Sequence, residues 1–299
     1  MPKTPYIGRF APSPSGPLHI GSLVCALASY LDAKHQHGTW LVRIEDIDPP
    51  REQAGATNTI LESLKQHGLH WDGDITQQST RSERYLNVLS DLQEKHLSYR
   101  CDCTRKRLAN LSVAYDDHCR ERNIDHQNPT SVRLNNALAA QKLNLSALQH
   151  INDRIQPSIT ENLLNEGDFV IHRKDGLFAY QLAVVVDDIE QGITDIVRGA
   201  DLYDCSAKQQ FLAQTLNAHA FNYAHIPVVC HPNGDKLSKQ NHAPRINDIR
   251  AQENLNLALK YLQQSPPDTL NEAPIETILQ WGIEHWNINA LSNQNTITL

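Results

Sequence analysis

Three places in the chain gather residue types that do chemistry. The first is Arg9-Phe10-Ala11-Pro12-Ser13-Pro14-Ser15-Gly16-Pro17-Leu18-His19-Ile20-Gly21, a tight Pro- and Gly-rich loop ending in a histidine. Between a strand and a helix, such a loop sets small residues and the unpaired N–H groups of a helix start around a bound anion, and phosphate suits that field. The second is Lys236-Leu237-Ser238-Lys239-Gln240, following Asn233-Gly234. Two lysines on a loop can reach and neutralise phosphates. Either motif alone also fits a bland turn, Pro-rich in one case and solvated in the other. An early loop and a late loop bracketing one α/β core are far more specific together.

The third is Cys101-x-Cys103 followed by Cys119, three thiols within 19 residues. That spacing fits a structural zinc ion, which takes four tetrahedral ligands, and spacing alone offers His118 or a neighbouring aspartate as the fourth. Cys25, Cys205 and Cys230 stand apart, and a disulfide framework is not expected.

The elements that must position these groups follow from periodicity. Tyr6–Ala11 reads as a strand, Gly21–Gln36 as a helix with Leu23, Ala26, Leu27, Tyr30 and Leu31 on one face, and Thr39–Ile44 as a second strand. Helices are predicted at Thr57–His67 and Ser82–Lys95. Strand, helix, strand in the first 45 residues implies a parallel α/β sheet. From about residue 101 the pattern turns polar and weakly periodic, through Asn123–Ile159, as an insertion would. The α/β signal returns with a hairpin at Asp168–Leu177 that turns at Lys174-Asp175-Gly176. The apolar segments Ala179–Val186 and Thr194–Val197, the helix Ser206–Leu216 and the strand His225–Cys230 follow. Two helices, Ile249–Gln264 and Pro274–His285, close the chain. The expected organisation is a nucleotide-binding core at 1–100 and 168–247, a zinc-containing insertion at 101–167 and a short helical region at 248–299.

Composition limits the function classes. The chain has 299 residues, 40% hydrophobic and 20% charged, which excludes disordered, collagen-like and coiled-coil architectures. No apolar run approaches the roughly 18 residues that a bilayer span needs, and Leu182–Val186 ends at Asp187-Asp188. MPKTPYIGRF has no signal-peptide core, so a soluble cytoplasmic protein is expected, by default a monomer. The net charge of −7 gives no long-range pull on phosphates, so any nucleic acid must meet a local patch. Residues 95–122, netting +3, are the candidate.

Pro17-Leu18-His19-Ile20-Gly21 early and Lys236-Leu237-Ser238-Lys239 late resemble the class I aminoacyl-tRNA synthetases. His19-Ile20-Gly21-Ser22 departs from that family's pattern at its last position, where a second histidine is usual. Arg9-Phe10-Ala11-Pro12-Ser13, Val42-Arg43-Ile44-Glu45-Asp46 and Ile196-Val197-Arg198-Gly199-Ala200-Asp201 resemble the glutamyl branch. Glutamate presents two carboxylates and an ammonium, so a site for it wants two cations and one anion. Arg9 and Arg198 can supply paired donors and Glu45 the ammonium partner, while which arginine takes which carboxylate stays open. Tyr180 matches a substrate-contacting tyrosine of that branch.

The Cys101-x-Cys103 and Tyr115-x-x-x-Cys119 pattern, with Trp40–Arg51, His172–Asp188 and Lys236–Pro244, extends the likeness to the short glutamyl-tRNA synthetase-like family over essentially the whole chain. The resemblance implies a Rossmann-type parallel-sheet core, a zinc site of Cys101, Cys103, Tyr115 and Cys119, and no anticodon-reading region. It implies ATP-dependent formation of glutamyl-adenylate, with His19, Gly21, Lys236 and Lys239 at the ATP, His19 and Lys239 catalytic, and Mg²⁺ with the nucleotide. Arg9, Phe10, Ala11, Pro12, Ser13, Glu45, Tyr180 and Arg198 would hold L-glutamate. The implied acceptor is the queuosine base in the anticodon arm of tRNA(Asp), and the tRNA 3′ end is not charged.

Overall fold

The computed structural model describes residues 5–112, 114–124, 129–230, 244–291 and 296–298. Lys236 and Lys239 lie outside the described residues. The first part of the chain runs β1 (Ile7–Phe10), α1 (Ile20–His35), β2 (Thr39–Ile44), α2 (Ala56–Gln66), β3 (Thr76–Gln77) and α3 (Ser82–Glu94). Then come β4 (Ser98–Cys101), α4 (Arg105–Leu108), β5 (Ser131–Leu134), α5 (Asn136–Leu143), β6 (Leu148–Ile151), β7 (Ile159–Asn162), α6 (Leu163–Glu166) and β8 (Val170–His172). The rest comprises α7 (Tyr180–Glu190), β9 (Asp195–Gly199), α8 (Ser206–Thr215), β10 (Asn222–Ile226), β11 (Val228–Cys230), α9 (Ala251–Tyr261), α10 (Ile275–His285) and β12 (Thr296–Thr298).

The expected parallel sheet is present. β1 pairs with β2 from Ile7↔Thr39 to Phe10↔Val42, and β2 pairs with β3. β9 and β10 run parallel from Asp195↔Asn222 to Gly199↔Ile226. The Thr194 N–H donates to the Ile7 carbonyl at 2.9 Å, joining the two ladders. The loops after β1, β2 and β9 therefore leave from the same, carboxyl edge, where open parallel sheets bind ligands.

α1 is buried over most of its circumference, with Leu23, Val24, Ala26, Leu27, Leu31 and Ala33 against the sheet and the C-terminal helices. Its one deeply buried carboxylate is Asp32. That group accepts from Arg154 at 2.6 and 2.8 Å, from the Trp286 indole at 2.8 Å and from the Tyr6 hydroxyl. One side chain thus joins the N-terminal strand, the insertion and the C-terminal region.

The apolar segment Ala179–Val186 lies almost wholly in α7, with Leu182–Val186 buried. A short contiguous apolar run is compatible with strand or helix, and burial on all sides is what makes it uniformly apolar here. The strand expected at His225–Cys230 is divided at Pro227 into β10 and β11. The C-terminal region is more than two helices, because β12 pairs in parallel with β11, Val228↔Thr296. Within the insertion, β6 and β7 form an antiparallel hairpin whose loop docks on the core, Asp153 bridging to Tyr223 of β10. β4 and β8, on either side of the expected insertion, both pair antiparallel with β5 from within it.

Candidate active site

His19 caps α1. It sits in extended backbone, its Nδ1 accepts from the Ser22 N–H at 3.3 Å, and the Ser22 hydroxyl lies 3.0 Å from Nε2. Ser22, at the position where a second histidine is usual, thus holds the ring of the first. The Ile246 N–H donates to the Leu18 carbonyl at 3.1 Å, and Arg245 bridges to His19. The segment that follows the lysine loop is therefore fixed beside the histidine.

Of the other residues expected to hold the amino acid, Arg9, Pro12, Glu45, Tyr180 and Arg198 come together at the carboxyl edge. The Glu45 N–H donates to the Pro12 carbonyl at 3.0 Å, locking the Ala11-Pro12-Ser13 turn to the end of β2. Alternation along β1 sends Arg9 and Phe10 to opposite faces, and Phe10 stacks on Trp40 at 6.5 Å between ring centroids. Phe10 thus serves the core. Arg9 is buried and makes a two-point pair with Asp188, Nε to Oδ1 at 3.1 Å and Nη2 to Oδ2 at 3.3 Å.

Sequence reasoning gave no role to Arg43, which is fully buried. It lies 2.8 Å from Asp188 Oδ1, 3.8 Å from Asp187 and 3.6 Å from Glu45 Oε1, and donates to Gln191 at 2.6 Å. Arg43 stands near the end of β2, two residues before Glu45, and Asp187-Asp188 interrupts an apolar helix. Those were the available signals. Asp187 takes its closest cation from Arg81 at 2.6 Å, and Asp188 takes the short contacts of Arg9 and Arg43, so Glu45 keeps only the longer 3.6 Å approach of Arg43. Burial, with help from Asp188 and Asp187 and against Arg43 and Arg9, pushes its carboxyl up to about 7. Its Oε1 is buried and has no hydrogen-bond partner among the described residues.

Tyr180, at the start of α7, feels the charges of Glu45, Arg198 and Arg9, so the four side chains share one neighbourhood. Burial first, then Glu45, push its phenol up to about 12. Arg198 is more fully held than its expected role suggests. Nε donates to His225 Nε2 at 2.9 Å, Nη1 to Gln209 at 2.6 Å, and Nη2 to Ser206 at 3.0 Å and to the Leu202 carbonyl at 3.2 Å. Among the described residues four of its five N–H groups are so engaged, leaving one on Nη1. On Arg9, Asp188 takes two and leaves three.

The three thiols form a cluster, the sulfur atoms of Cys101, Cys103 and Cys119 all lying within 4.8 Å of one another. Cys103 and Cys119 sulfurs are 3.4 Å apart, near the roughly 3.8 Å that tetrahedral zinc–thiolate bonds impose and far beyond a disulfide bond. The Tyr115 hydroxyl lies 3.6 Å from Cys101 Sγ and accepts from the Cys119 N–H at 2.9 Å. Its ring is covered by the Arg133 guanidinium at 3.6 Å. Against the effect of burial, Arg133 and Tyr115 draw the Cys101 thiol down to about 7, while burial and then Cys119 and Cys101 push the Cys103 thiol up to about 12. Gly167 has φ +78°, and a side chain there would strike the Tyr115 carbonyl at 1.9 Å, so only glycine lets the backbone close over the cluster. The donor set fits a tetrahedral metal.

A cavity of about 1100 Å³ opens at the opposite, amino edge of the strands, lined in part by Tyr6, His37, Arg154, Asp195 and Asn222. Its one arginine is already paired to Asp32, and none of the predicted site residues lies there.

The tRNA synthetases class I (E and Q) catalytic domain matches residues 7–263. The glutamyl-Q tRNA(Asp) synthetase of Pectobacterium atrosepticum is 47% identical over 98% of this chain and 88% of its own length. That of Serratia proteamaculans is 45% identical over 100% of this chain and 96% of its own. The chain belongs to the glutamyl-Q tRNA(Asp) synthetase family. Membership makes it a ligase, as the motifs implied. The glutamate-tRNA synthetase of Elizabethkingia anophelis superposes with a TM-score of 0.78 at 23% identity, over 99% of this chain and 68% of that one. That likeness identifies the fold as the class I synthetase catalytic fold.

Proposed function

We propose that the chain activates L-glutamate with ATP in the absence of tRNA, and then transfers it to the queuosine base at the wobble position of tRNA(Asp). The observation that carries the amino-acid choice is the state of Glu45 at the carboxyl edge. Glu45 is a buried carboxylate with an orphaned oxygen in the neighbourhood of Arg9, Arg198 and Tyr180. An ammonium completes Glu45, and the N–H groups remaining on Arg9 and Arg198 suit two carboxylates. Aspartate sets its two carboxylates one methylene closer together, and glutamine brings one anion instead of two.

In the first step a glutamate carboxylate oxygen attacks the α-phosphorus of ATP, and pyrophosphate leaves. Catalysis here is alignment and charge stabilisation, assigned to His19 and Lys239, with Lys236 assisting. Mg²⁺ carried with ATP supplies neutralisation of the phosphate charge. In the second step a hydroxyl of the queuosine cyclopentene ring attacks the activated carbonyl and AMP departs. The cysteine cluster with Tyr115 would hold one structural zinc ion.

The acceptor is an anticodon arm, whose loop bases can be splayed out for recognition. Of the basic stretch 95–122, Arg107 is taken by Asp116, Arg122 by Asp102 and Arg120 by Asp117 and Asp168. Arg105 and Lys106 on α4 are exposed and make no ion pair among the described residues, which supports them as the phosphate contact. Charge reversal of both should weaken transfer to RNA while sparing adenylate formation.

ATP–pyrophosphate exchange with glutamate, aspartate and glutamine, each with and without tRNA, tests the proposal. Glutamate-dependent exchange without tRNA is the expected result. Exchange only with tRNA would favour charging of a tRNA 3′ end, and no exchange at all would leave a glutamate- or nucleotide-binding regulator.

A further inference from the structure

Arg198 is steered by a relay that begins in the insertion. Its Nε–H can only donate, so His225 Nε2, 2.9 Å away, must carry the lone pair and His225 Nδ1 the proton. That Nδ1–H donates to Asp153 Oδ2 at 2.6 Å. The other oxygen of Asp153 is pinned by three backbone N–H groups, of Ile155 at 2.9 Å, Gln156 at 2.8 Å and His225 at 3.2 Å. The His225 ring stacks on Tyr223 at 5.8 Å, with Tyr203 edge-on at 5.3 Å, so it cannot swing aside cheaply. His225 is fully buried, and the side chains of His225 and Asp153 have no exposed surface. Arg198 is the member of this chain of contacts that shares the charges of Glu45 and Arg9 at Tyr180.

We propose that Asp153 and His225 are positioning residues for substrate: Asp153 fixes the His225 tautomer, and His225 thereby fixes Arg198 with its remaining Nη1–H turned to the amino-acid carboxylate. The insertion, through the β6–β7 loop that carries Asp153, thus sets glutamate affinity as well as covering the core. This rests on the reading that Arg198 binds a glutamate carboxylate.

Two amide substitutions separate this from simple packing. His225→Gln keeps an acceptor for Arg198 at the ε position and loses the donor to Asp153. His225→Asn keeps the donor to Asp153 at the δ position and loses the acceptor. Asp153→Asn is the third arm. The backbone N–H groups hold its amide oxygen in place, so its NH₂ faces His225 Nδ1, forces the other tautomer and presents N–H to N–H at Arg198.

Glutamate and ATP KM values from pyrophosphate exchange, with glutamate binding by calorimetry and the unfolding midpoint, are measured for each variant and for Arg198→Lys. The expected result is a glutamate KM raised about tenfold in His225→Asn and Asp153→Asn, a smaller rise in His225→Gln, and an ATP KM unchanged throughout. A purely structural role reverses the order, His225→Asn being the milder change because it preserves the Asp153 contact, and that order overturns the proposal. So does a glutamate KM unmoved in all three while Arg198→Lys raises it. If Arg198→Lys leaves glutamate binding unchanged, or the unmodified protein binds no glutamate, the underlying reading fails and the relay with it.

Discussion

Asp188 holds Arg9 at two points, 3.1 and 3.3 Å, and carries Arg43 on the same carboxylate at 2.8 Å. Against the effect of burial, Arg43 and Arg9 keep the Asp188 carboxyl below the usual range. All three side chains are buried, so removing the carboxylate leaves two guanidinium groups without their main counter-charge. Asp188→Ala should destabilise the fold by about 3–5 kcal/mol, measured by urea unfolding. A loss under about 1 kcal/mol would mean that water replaces the carboxylate and that the pair does not fix Arg9.

On the proposed role of Glu45, glutamate binding should depend on pH. Its carboxyl, pushed up to about 7, is largely protonated below that pH, whereas an ammonium pairs only with the ionised form. Glutamate KM should therefore be flat above pH 7 and rise toward about tenfold per unit below it. Glu45→Gln should remove that slope and raise KM roughly 10- to 100-fold at pH 8. The sign for folding is opposite. Burial resists the charge, so the native protein holds this proton more tightly than the unfolded chain, and stability is lost as pH rises through about 7. Glu45→Gln should consequently raise the unfolding midpoint at pH 8 while harming binding, as expected of a strained functional carboxylate. A lowered midpoint together with an unchanged KM profile would make Glu45 structural.

Much of this was legible in the sequence because local chemistry repeats. The β2 bounds, Thr39–Ile44, match the sequence reading, and α1 differs from it by one residue at each end, since hydrophobic period and capping determine both. The Cys101-x-Cys103 step, with Cys119, foretold a cluster that the fold assembles. What the sequence hid is long-range. Nothing near Arg198 announces that His225, 27 positions away, orients it, or that Asp153, a further 72 away from His225, orients His225. The pairing of Arg43 with Asp188 is likewise visible only once β2 and α7 are packed together. β12 is a three-residue strand whose pairing depends on an edge built some 70 residues earlier, too short for periodicity to reveal.

The cysteine cluster predicts one tightly held metal per chain. The purified protein should carry about one zinc by elemental analysis, and Cys103→Ser or Cys119→Ser should abolish it. Tyr115→Phe keeps the ring under Arg133 but removes the hydroxyl 3.6 Å from Cys101 Sγ, and should weaken zinc about tenfold or more in a chelator competition. Retention of full affinity would assign the fourth position to another ligand. Chelation should lower the unfolding midpoint, because a metal bound only by the folded form stabilises it by mass action.

Asp32 predicts how the C-terminal region is coupled to the catalytic sheet. Its carboxylate, on a helix that begins at His19, accepts at once from Tyr6, Arg154 and Trp286. Trp286→Phe removes one donor and should cost about 1 kcal/mol beyond any packing loss. Asp32→Ala strands the Tyr6 hydroxyl, the Trp286 indole and a partly exposed Arg154, and should cost about 3–4 kcal/mol. In the double variant the tryptophan donor has already gone, so the two losses should fall short of additivity by about 1 kcal/mol. Full additivity in urea unfolding would mean that the indole contact carries no energy, and that α9 and α10 are held to α1 by their apolar faces and the 2.7 Å contact of His35 with the Ile283 carbonyl.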